Sequence, residues 1–339
     1  MSMTMRAVVA EDYGPPENLT VQRIPVPVPG RGQIQVRVRA AALNPADLRL
    51  LTGTMREQAP LTFPYVLGSD FAGTVTEVGD GVSRFAVGDE VFGLGLPRAA
   101  SAMAAIVSDP PSLTTGTMAE YAVFDADTPA IARRPADLAA EHAASLPMVA
   151  LTALPLLRAS RFQPADPVLV IGATGGVGSA TVPLLAAAKA YVIATATEAD
   201  QPYVRNLGAA DVIDHHTHDV AAETLRRHSD GVAAVINLAL PGERLVEFGR
   251  LVRPGGQVLN VAFPKPDPAA FGRDDLTVET VYASARPGDV ADVAARAVDG
   301  SLPAAIGRRY RLDDAARAYR ELIAEHTRGK LVVVMDDQP

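Results

Sequence analysis

Polar and apolar positions alternate in short runs along the first third of the chain. Gln33–Ala40, QIQVRVRA, has the period-two pattern of a half-buried strand. Arg6–Ala10, Phe71–Val78 and Asp89–Phe92 are further strand candidates. They are separated by turn-forming stretches such as Pro25 to Gly32 and Gly79 to Gly81. Many short strands joined by Gly/Pro turns predict a barrel-like β domain. Leu94–Thr117 is the least regular stretch and reads as a long loop, with a short helix at Ala99–Val107. The pattern changes near Arg133. Leu138–Ser160 reads as helical, and short apolar runs then recur about every 20 residues: Val168–Ile171, Tyr191–Ala194, Asp211–Ile213, Ala233–Leu238 and Gln257–Val261. Buried strands separated by helices predict βαβ units and a parallel sheet. Beyond Pro264 the pattern gives a strand at Thr277–Ala283, helices at Asp289–Asp299 and Asp313–Ala324, and a last strand at Lys330–Met335.

The first apolar run of the βα series ends in a glycine-rich turn, Pro167-Val-Leu-Val-Ile-Gly-Ala-Thr-Gly-Gly-Val-Gly178. Glycine permits positive φ and lets a pyrophosphate approach the backbone. The helix that follows offers free N–H groups and the positive end of its dipole to an anion. Gly175, Gly176 and Gly178 are assigned to this role; a tight structural turn is the competing reading. An NAD site usually carries Asp or Glu at the end of the second strand, to bind the ribose 2′-hydroxyl. Here that stretch is Ala194-Thr-Ala-Thr197, with Glu198 immediately after. Thr195 and Thr197 leave room for a 2′-phosphate, so NADPH is favoured over NADH. Arg205 and His215 are candidate cations for it, and each is equally at home as a surface residue.

Composition narrows the field. The chain has 339 residues, long enough for two domains. Its formal net charge of −8 argues against a general nucleic-acid binder. It contains no cysteine, so disulfides, thiolate metal sites and a cysteine nucleophile are excluded. The first eleven residues lack the pattern of a signal peptide, and no apolar run reaches the roughly 18 residues a membrane helix needs. A cytoplasmic protein without a membrane or nucleic-acid partner is expected.

The chain resembles the zinc-independent, quinone oxidoreductase-like branch of the medium-chain dehydrogenase/reductase superfamily. The resemblance rests on Asn44-Pro-Ala-Asp47, Leu67-Gly-Ser-Asp-Phe-Ala-Gly-Thr-Val75, Glu77-Val-Gly79 and Val87-Gly-Asp-Glu-Val-Phe-Gly93. It continues through Gly116-Thr-Met-Ala-Glu-Tyr121, Ala144-Ser-Leu-Pro147, Leu151-Thr-Ala153, the glycine turn and Gly329-Lys-Leu-Val-Val333. It implies an α/β protein: a GroES-like β-barrel catalytic domain, 1–133 and 275–339, and a Rossmann doubly wound parallel-sheet domain, 134–274. It also implies a cleft where NADPH reduces a small electrophile, and a homodimer. The family's zinc branch binds catalytic metal through a Cys and a Gly-His-Glu motif. Here the corresponding segment is Gly68-Ser69-Asp70, so no metal is expected.

By the same resemblance, Asn44 and Asp47 lie near the nicotinamide and Thr152 contacts the cofactor from the start of the Rossmann domain, with Asn44 and Thr152 as catalytic and cofactor-binding candidates; Asn44 and Asp47 also suit ordinary turn and cap chemistry. The resemblance adds Thr174, Val177, Asn237, Val261, Phe263 and Lys330 to the cofactor contacts. Tyr65 and Tyr121 carry hydroxyls that could protonate an enolate, and Tyr65 is the catalytic candidate of the two. The run Asp214-His-His-Thr-His218-Asp219 looks metal-binding, but adjacent histidines diverge, and His215 at the adenosine end is the preferred use. Three departures stand out, the first being Ala173 in place of the first glycine of the usual GxGxxG. Pro183 falls inside the helix after the glycine turn and should bend it. Met55 stands where related enoyl thioester reductases carry a proton-donating Tyr. The expected reaction is hydride transfer to a quinone or an enone. The alternatives are an enoyl reductase of polyketide or fatty-acid metabolism and a non-catalytic NADPH-binding protein.

Overall fold

The computed structural model describes residues 3–95, 112–303 and 305–335. The loop helix expected at Ala99–Val107 lies outside them. The chain divides into two compact units. One is Met1–Met148 with Ser284–Gly300 and Ala304–Pro339; the other is Val149–Ala283 with Ser301–Pro303.

The first unit is a β domain. Strands β1 (Thr4–Ala10), β2 (Thr20–Pro25) and β4 (Tyr65–Val66) form a three-stranded sheet in the order β2-β1-β4. A second sheet holds β3 (Gln33–Ala42), β5 (Asp70–Val78), β6 (Glu90–Leu94), β7 (Tyr121–Asp125), β8 (Ile131–Arg133), β15 (Ile306–Arg311) and β16 (Lys330–Val334). Its order is β15-β16-β3-β5-β6-β8, and β3 is its organiser. One end of β3, Gln33–Arg37, pairs with β7, the other end, Ala40–Ala42, pairs with β16, and its opposite edge pairs with β5. This crowding corrects the half-buried reading of β3. Gln35 is buried, and its amide donates to Pro27 O at 2.6 Å and accepts from the Thr76 hydroxyl at 2.6 Å. A buried amide is tolerated when both its ends are bonded. Around these strands packs a core that includes Ile34, Val36, Tyr65, Phe71, Phe124, Tyr319 and Leu331.

The second unit is a parallel sheet built as the apolar runs predict. Strands β9 (Pro167–Ile171), β10 (Tyr191–Ala196), β11 (Asp211–Asp214), β12 (Val232–Asn237), β13 (Val252–Asn260) and β14 (Thr277–Thr280) lie in the order β11-β10-β9-β12-β13-β14. This is the doubly wound order, with the chain reversing direction of travel beside β9. Successive residues of a strand face opposite sides. Val168 and Val170 accordingly enter one core layer with Val192 and Ala194, while Leu169 and Ile171 enter another with Ile193 and Val235. Both faces of the sheet are therefore covered, which is why its strands read as continuous apolar runs.

Two domain boundaries move from their sequence-based positions. The segment at Thr277–Thr280 was expected in the β-barrel domain, but it pairs with Gln257–Asn260 as the sixth strand of the parallel sheet. The other boundary lies beyond 134, because the helix Ala140–Ala144 packs on β3, β5 and β6. Strands β2, β4, β7, β8 and β15 were not anticipated. The helix Gly176–Ala187 carries Pro183 in its interior. Among the described residues no helix is long and apolar enough to cross a membrane.

The Phe71 and Phe124 rings stack with centroids 4.0 Å apart and an interplanar angle of 12°, fully inside the first unit. Replacing Phe71 with Ala should cost about 3–5 kcal/mol, the usual loss for emptying a buried aromatic site. Urea unfolding followed by near-UV circular dichroism measures it.

Candidate functional site

The glycine turn joins β9 to the helix Gly176–Ala187. Three positions in it are glycine for different reasons. Gly172 has φ 85°, a region that side chains disfavour. A Cβ on Gly178 would stand 2.4 Å from both the Gly172 and Ala173 carbonyl oxygens. The helix can approach the strand end only because that atom is missing. Gly175 has an ordinary φ of −73°, and the nearest atom to a Cβ there would be Gly172 O at 3.7 Å. The fold itself does not require glycine at 175. The open space beside the helix N-terminus suits an approaching anion, and no side chain caps that terminus. The residues present thus fit a dinucleotide diphosphate.

The neighbouring strand ends are fixed by side chains. Gly172 N–H donates to the Thr195 hydroxyl at 3.1 Å, so buried Thr195 braces the turn. The Thr197 hydroxyl donates to Asp200 at 2.8 Å, which draws that carboxylate into the protein. Ser179 and Tyr203 share a hydrogen bond of 2.7 Å. His215 is exposed just past β11 with its ring against His216, and Arg205 is exposed and donates to Ala210 O at 3.4 Å. His216 N–H and the Asp214 carboxylate bond each other, and His218 bonds Thr217. Among the described residues no three His, Cys, Asp or Glu side chains gather as a metal site.

At β12 and β13 the ends are tied by two amides. Asn237 is fully buried; it donates to Leu240 O at 2.7 Å and to Asn260 Oδ1 at 2.8 Å, and accepts from Leu240 N at 2.9 Å. Its amide hydrogens serve the fold. Asn260 in turn donates to Ala262 O at 2.8 Å. Val261 packs partly against the core, and Phe263 is 37% exposed. Thr174 is buried in the turn, and Val177 packs against the same layer of core. Thr152 is buried in the helix Pro147–Ala159. The second unit thus brings Thr174–Val177, Thr195, Thr197, His215, Asn237, Val261 and Phe263 to the carboxyl ends of its strands.

The first unit holds a buried charged cluster. The Lys330 ammonium donates to Leu43 O at 2.7 Å, to Asn44 Oδ1 and to Asp70 Oδ2 at 3.1 Å. These are three acceptors for three N–H bonds. A direct contact from Lys330 to a nucleotide would require it to give up one of them. Asn44 Nδ2 donates to the same Asp70 oxygen at 3.0 Å, and Asp70 Oδ1 accepts from Met148 N at 2.8 Å. Asp47 completes a capping box: Asn44 N donates to its Oδ2 at 2.9 Å. It also accepts from the Ser69 hydroxyl at 2.9 Å and the Tyr319 hydroxyl at 3.1 Å. Sequence reasoning found Asn44, Asp47 and Lys330 but not the roles of Ser69, Asp70 and Tyr319. The one available signal was that Gly68-Ser69-Asp70 departs from the metal-binding pattern. Tyr65 is fully buried nearby, and burial raises its pKa. It keeps its proton and has no exposed surface from which to give it to a substrate. Tyr121 is half-buried.

Burial pushes the Asp70 carboxyl upward, opposed by Lys330, Asn44 and Met148 N–H. Burial likewise lifts Asp47 to about 6, opposed by Asn44 N–H, Ser69 and Lys330.

The comparisons with known proteins agree with this architecture. Residues 30–134 match the alcohol dehydrogenase GroES-like domain, and residues 207–333 match the zinc-binding dehydrogenase model. The chain is 30% identical over 346 residues to a quinone oxidoreductase of Lama guanicoe, covering 98% of each. A chloroplast envelope quinone oxidoreductase homolog of Arabidopsis thaliana is 34% identical over 206 residues, spanning 59% of this chain and 57% of that relative. The chain thus spans little more than half the length of that relative. The structure of a quinone oxidoreductase from Coxiella burnetii superposes with a TM-score of 0.86 at 26% identity, over 98% of this chain and 100% of that one. The protein belongs to the medium-chain dehydrogenase/reductase superfamily, in its quinone oxidoreductase-like branch. This is a family of oxidoreductases that use a nicotinamide dinucleotide.

Two measurements probe the glycine turn and the charged cluster. Gly178→Ala should lower stability by about 1–3 kcal/mol through overpacking against backbone. Gly175→Ala should leave stability within about 0.5 kcal/mol yet weaken dinucleotide binding about tenfold or more. Thermal melts and calorimetric titration separate them. For Asp47, the folded pKa near 6 exceeds the unfolded value of 3.8, so the folded state binds the proton more tightly. Its contribution to stability is most favourable below pH 3.8 and is lost as pH rises through 6. Urea unfolding should therefore show the wild type gaining on Asp47→Asn as pH falls through that window.

Proposed function

We propose that the protein is a zinc-independent, NADPH-dependent oxidoreductase that transfers hydride to a quinone or an activated C=C bond. The observation that carries the reading is the turn at 172–178. There Gly178 lets the helix close on the strand, and Gly175 leaves room beside unfilled N–H donors. When bound, the reduced nicotinamide supplies the hydride. The chain's own part is to hold the diphosphate on the backbone amides from 176 to 178 and to keep the turn rigid through Thr195, while the Gly175 N–H closes the turn onto Gly172 O. Asn237 and Asn260 hold the loops that follow β12 and β13 in one arrangement.

The preference for NADPH is supported at the end of β10. Thr195 and Thr197 stand where an NAD site carries its carboxylate, and Asp200 is buried against the Thr197 hydroxyl, whereas Glu198 beside them is exposed. Independence from zinc is supported by the donor set. The sequence has no cysteine, and Asp70 in the segment Gly68-Ser69-Asp70 already faces the Lys330 ammonium. Quinones and enones carry their own electron-withdrawing conjugation, so their reduction does not depend on a Lewis acid. The working unit on this reading is a homodimer.

The test is calorimetric titration with NADPH and NADH, followed by consumption of the reduced cofactor with a quinone, an enone and an enoyl thioester. We expect NADPH to bind about tenfold more tightly, a difference of about 1.4 kcal/mol, and turnover to survive a zinc chelator. Failure to bind either nucleotide overturns the reading. Binding without consumption identifies a non-catalytic NADPH-binding protein, and preference for the thioester identifies an enoyl reductase.

A further inference from the structure

We propose that Tyr203 is a positioning residue for the nicotinamide dinucleotide: through Ser179 it fixes the Gly175 carbonyl and so aims the Gly176 N–H at the diphosphate. The proposal rests on the dinucleotide reading above and names a residue outside the glycine pattern on which that site depends.

The count of hydrogens sets the direction of the bonds. Ser179 Oγ lies 2.8 Å from Gly175 O and 2.7 Å from the Tyr203 hydroxyl. A carbonyl oxygen can only accept, so the single hydroxyl hydrogen of Ser179 goes to Gly175 O. The Tyr203 hydroxyl is then the donor to Ser179 Oγ. The bonds run in one sense, from Tyr203 to Ser179 to Gly175, and members of such a chain strengthen one another. Ser179 N–H donates to the same carbonyl at 2.9 Å, so Gly175 O is held by two donors. Ser179 is buried, and water competes little for its oxygen.

That carbonyl belongs to the peptide that opens the helix Gly176–Ala187. A peptide unit is planar and trans, so its C=O and N–H point in opposite directions. With Gly175 O turned along the helix toward Ser179, Gly176 N–H faces out of the helix N-terminus, the side from which an anion approaches. The peptide joins two glycines, the residues with the widest choice of φ and ψ. The local chain does little to hold it, and a brace from elsewhere counts.

The brace is itself anchored. Tyr203 lies on the helix Gln201–Asn206 and packs, partly buried, against the core layer that holds Ala173 and Val182. Val204 beside it is fully buried. The residues ahead of this helix are tied to the end of β10: the Thr197 hydroxyl donates to Asp200 at 2.8 Å, and Asp200 N–H donates to Thr197 O at 2.9 Å. The glycine turn is thereby held at both ends from the neighbouring strand and the segment that follows it. Thr195 acts at Gly172, and Tyr203 acts through Ser179 at Gly175.

The experiment compares the wild type with Tyr203→Phe, Ser179→Ala and the double variant. Calorimetric titration measures the affinity for NADPH and for adenosine 2′-monophosphate, which keeps the adenosine end and lacks the diphosphate. Tyr203→Phe deletes one hydroxyl and keeps the ring; we expect it to weaken NADPH binding about fivefold. Ser179→Ala should lose as much, and the double variant no more than either, because each breaks the same chain. Affinity for the monophosphate should stay within about twofold in all three. Undiminished NADPH binding by Tyr203→Phe overturns the proposal. So do losses that multiply in the double variant. An equal loss on the monophosphate also overturns it, because Tyr203 would then serve the adenosine end. Thermal melts establish that each variant is folded. If Tyr203→Phe is not, Ser179→Ala decides: a loss confined to NADPH sustains the proposal and undiminished binding overturns it. A wild type that binds neither NADPH nor NADH fails the dinucleotide reading itself; a wild type that binds, with variants that bind equally well, fails only this proposal.

Discussion

One close approach in the second unit is between backbone and backbone. At Gly178 the first turn of a helix lies against the carbonyls of Gly172 and Ala173, closer than any side chain would allow. Because the helix sits there, its N-terminus is delivered to the end of β9, where its first-turn N–H groups have no carbonyl of the helix to bond. Thr195 then braces the turn from β10, and the amides of Asn237 and Asn260 fix the strand ends on the other side. A string of modest hydrogen bonds thus depends on one steric permission.

The first unit solves a different problem, that of burying charge. Two carboxylates and an ammonium lie out of water, a placement that is costly unless every donor and acceptor is matched. Here they are matched closely. Lys330 spends its three N–H bonds on three oxygens, and Asp70 faces an ammonium and an amide hydrogen with one oxygen and a backbone N–H with the other. Asp47 gathers three donors. The cluster is polar but closed, which makes it a locating device for the loop around Asn44 as much as a store of chemistry.

The architecture was legible in the sequence where one physical signal dominated. Apolar runs flanked by helices gave the parallel sheet because both of its faces are covered. The glycine turn was legible because its spacing reflects contacts within a dozen residues. β14 was found as a strand and put in the wrong unit: TVET is half-buried at a sheet edge, and nothing local in it says which sheet. β15 was missed because IGRRYR is mostly exposed and its Arg308 and Arg309 are spent on ion pairs with Glu141, Glu321 and Glu325. Within the charged cluster, Tyr319 meets Asp47 across 272 positions. No periodicity or motif reports a contact of that kind.

That separation bears on how the molecule comes into being. Lys330 lies 286 residues after Asn44, and β16 supplies a neighbour for β3. On a ribosome the barrel therefore waits, its central sheet short of a strand and its acidic residues short of their cation, until the tail emerges. The parallel-sheet unit draws almost all of its chain from one uninterrupted stretch and can close earlier. The inserted unit is then the older structure in each molecule's life, and the part named first in the sequence is the last to be finished.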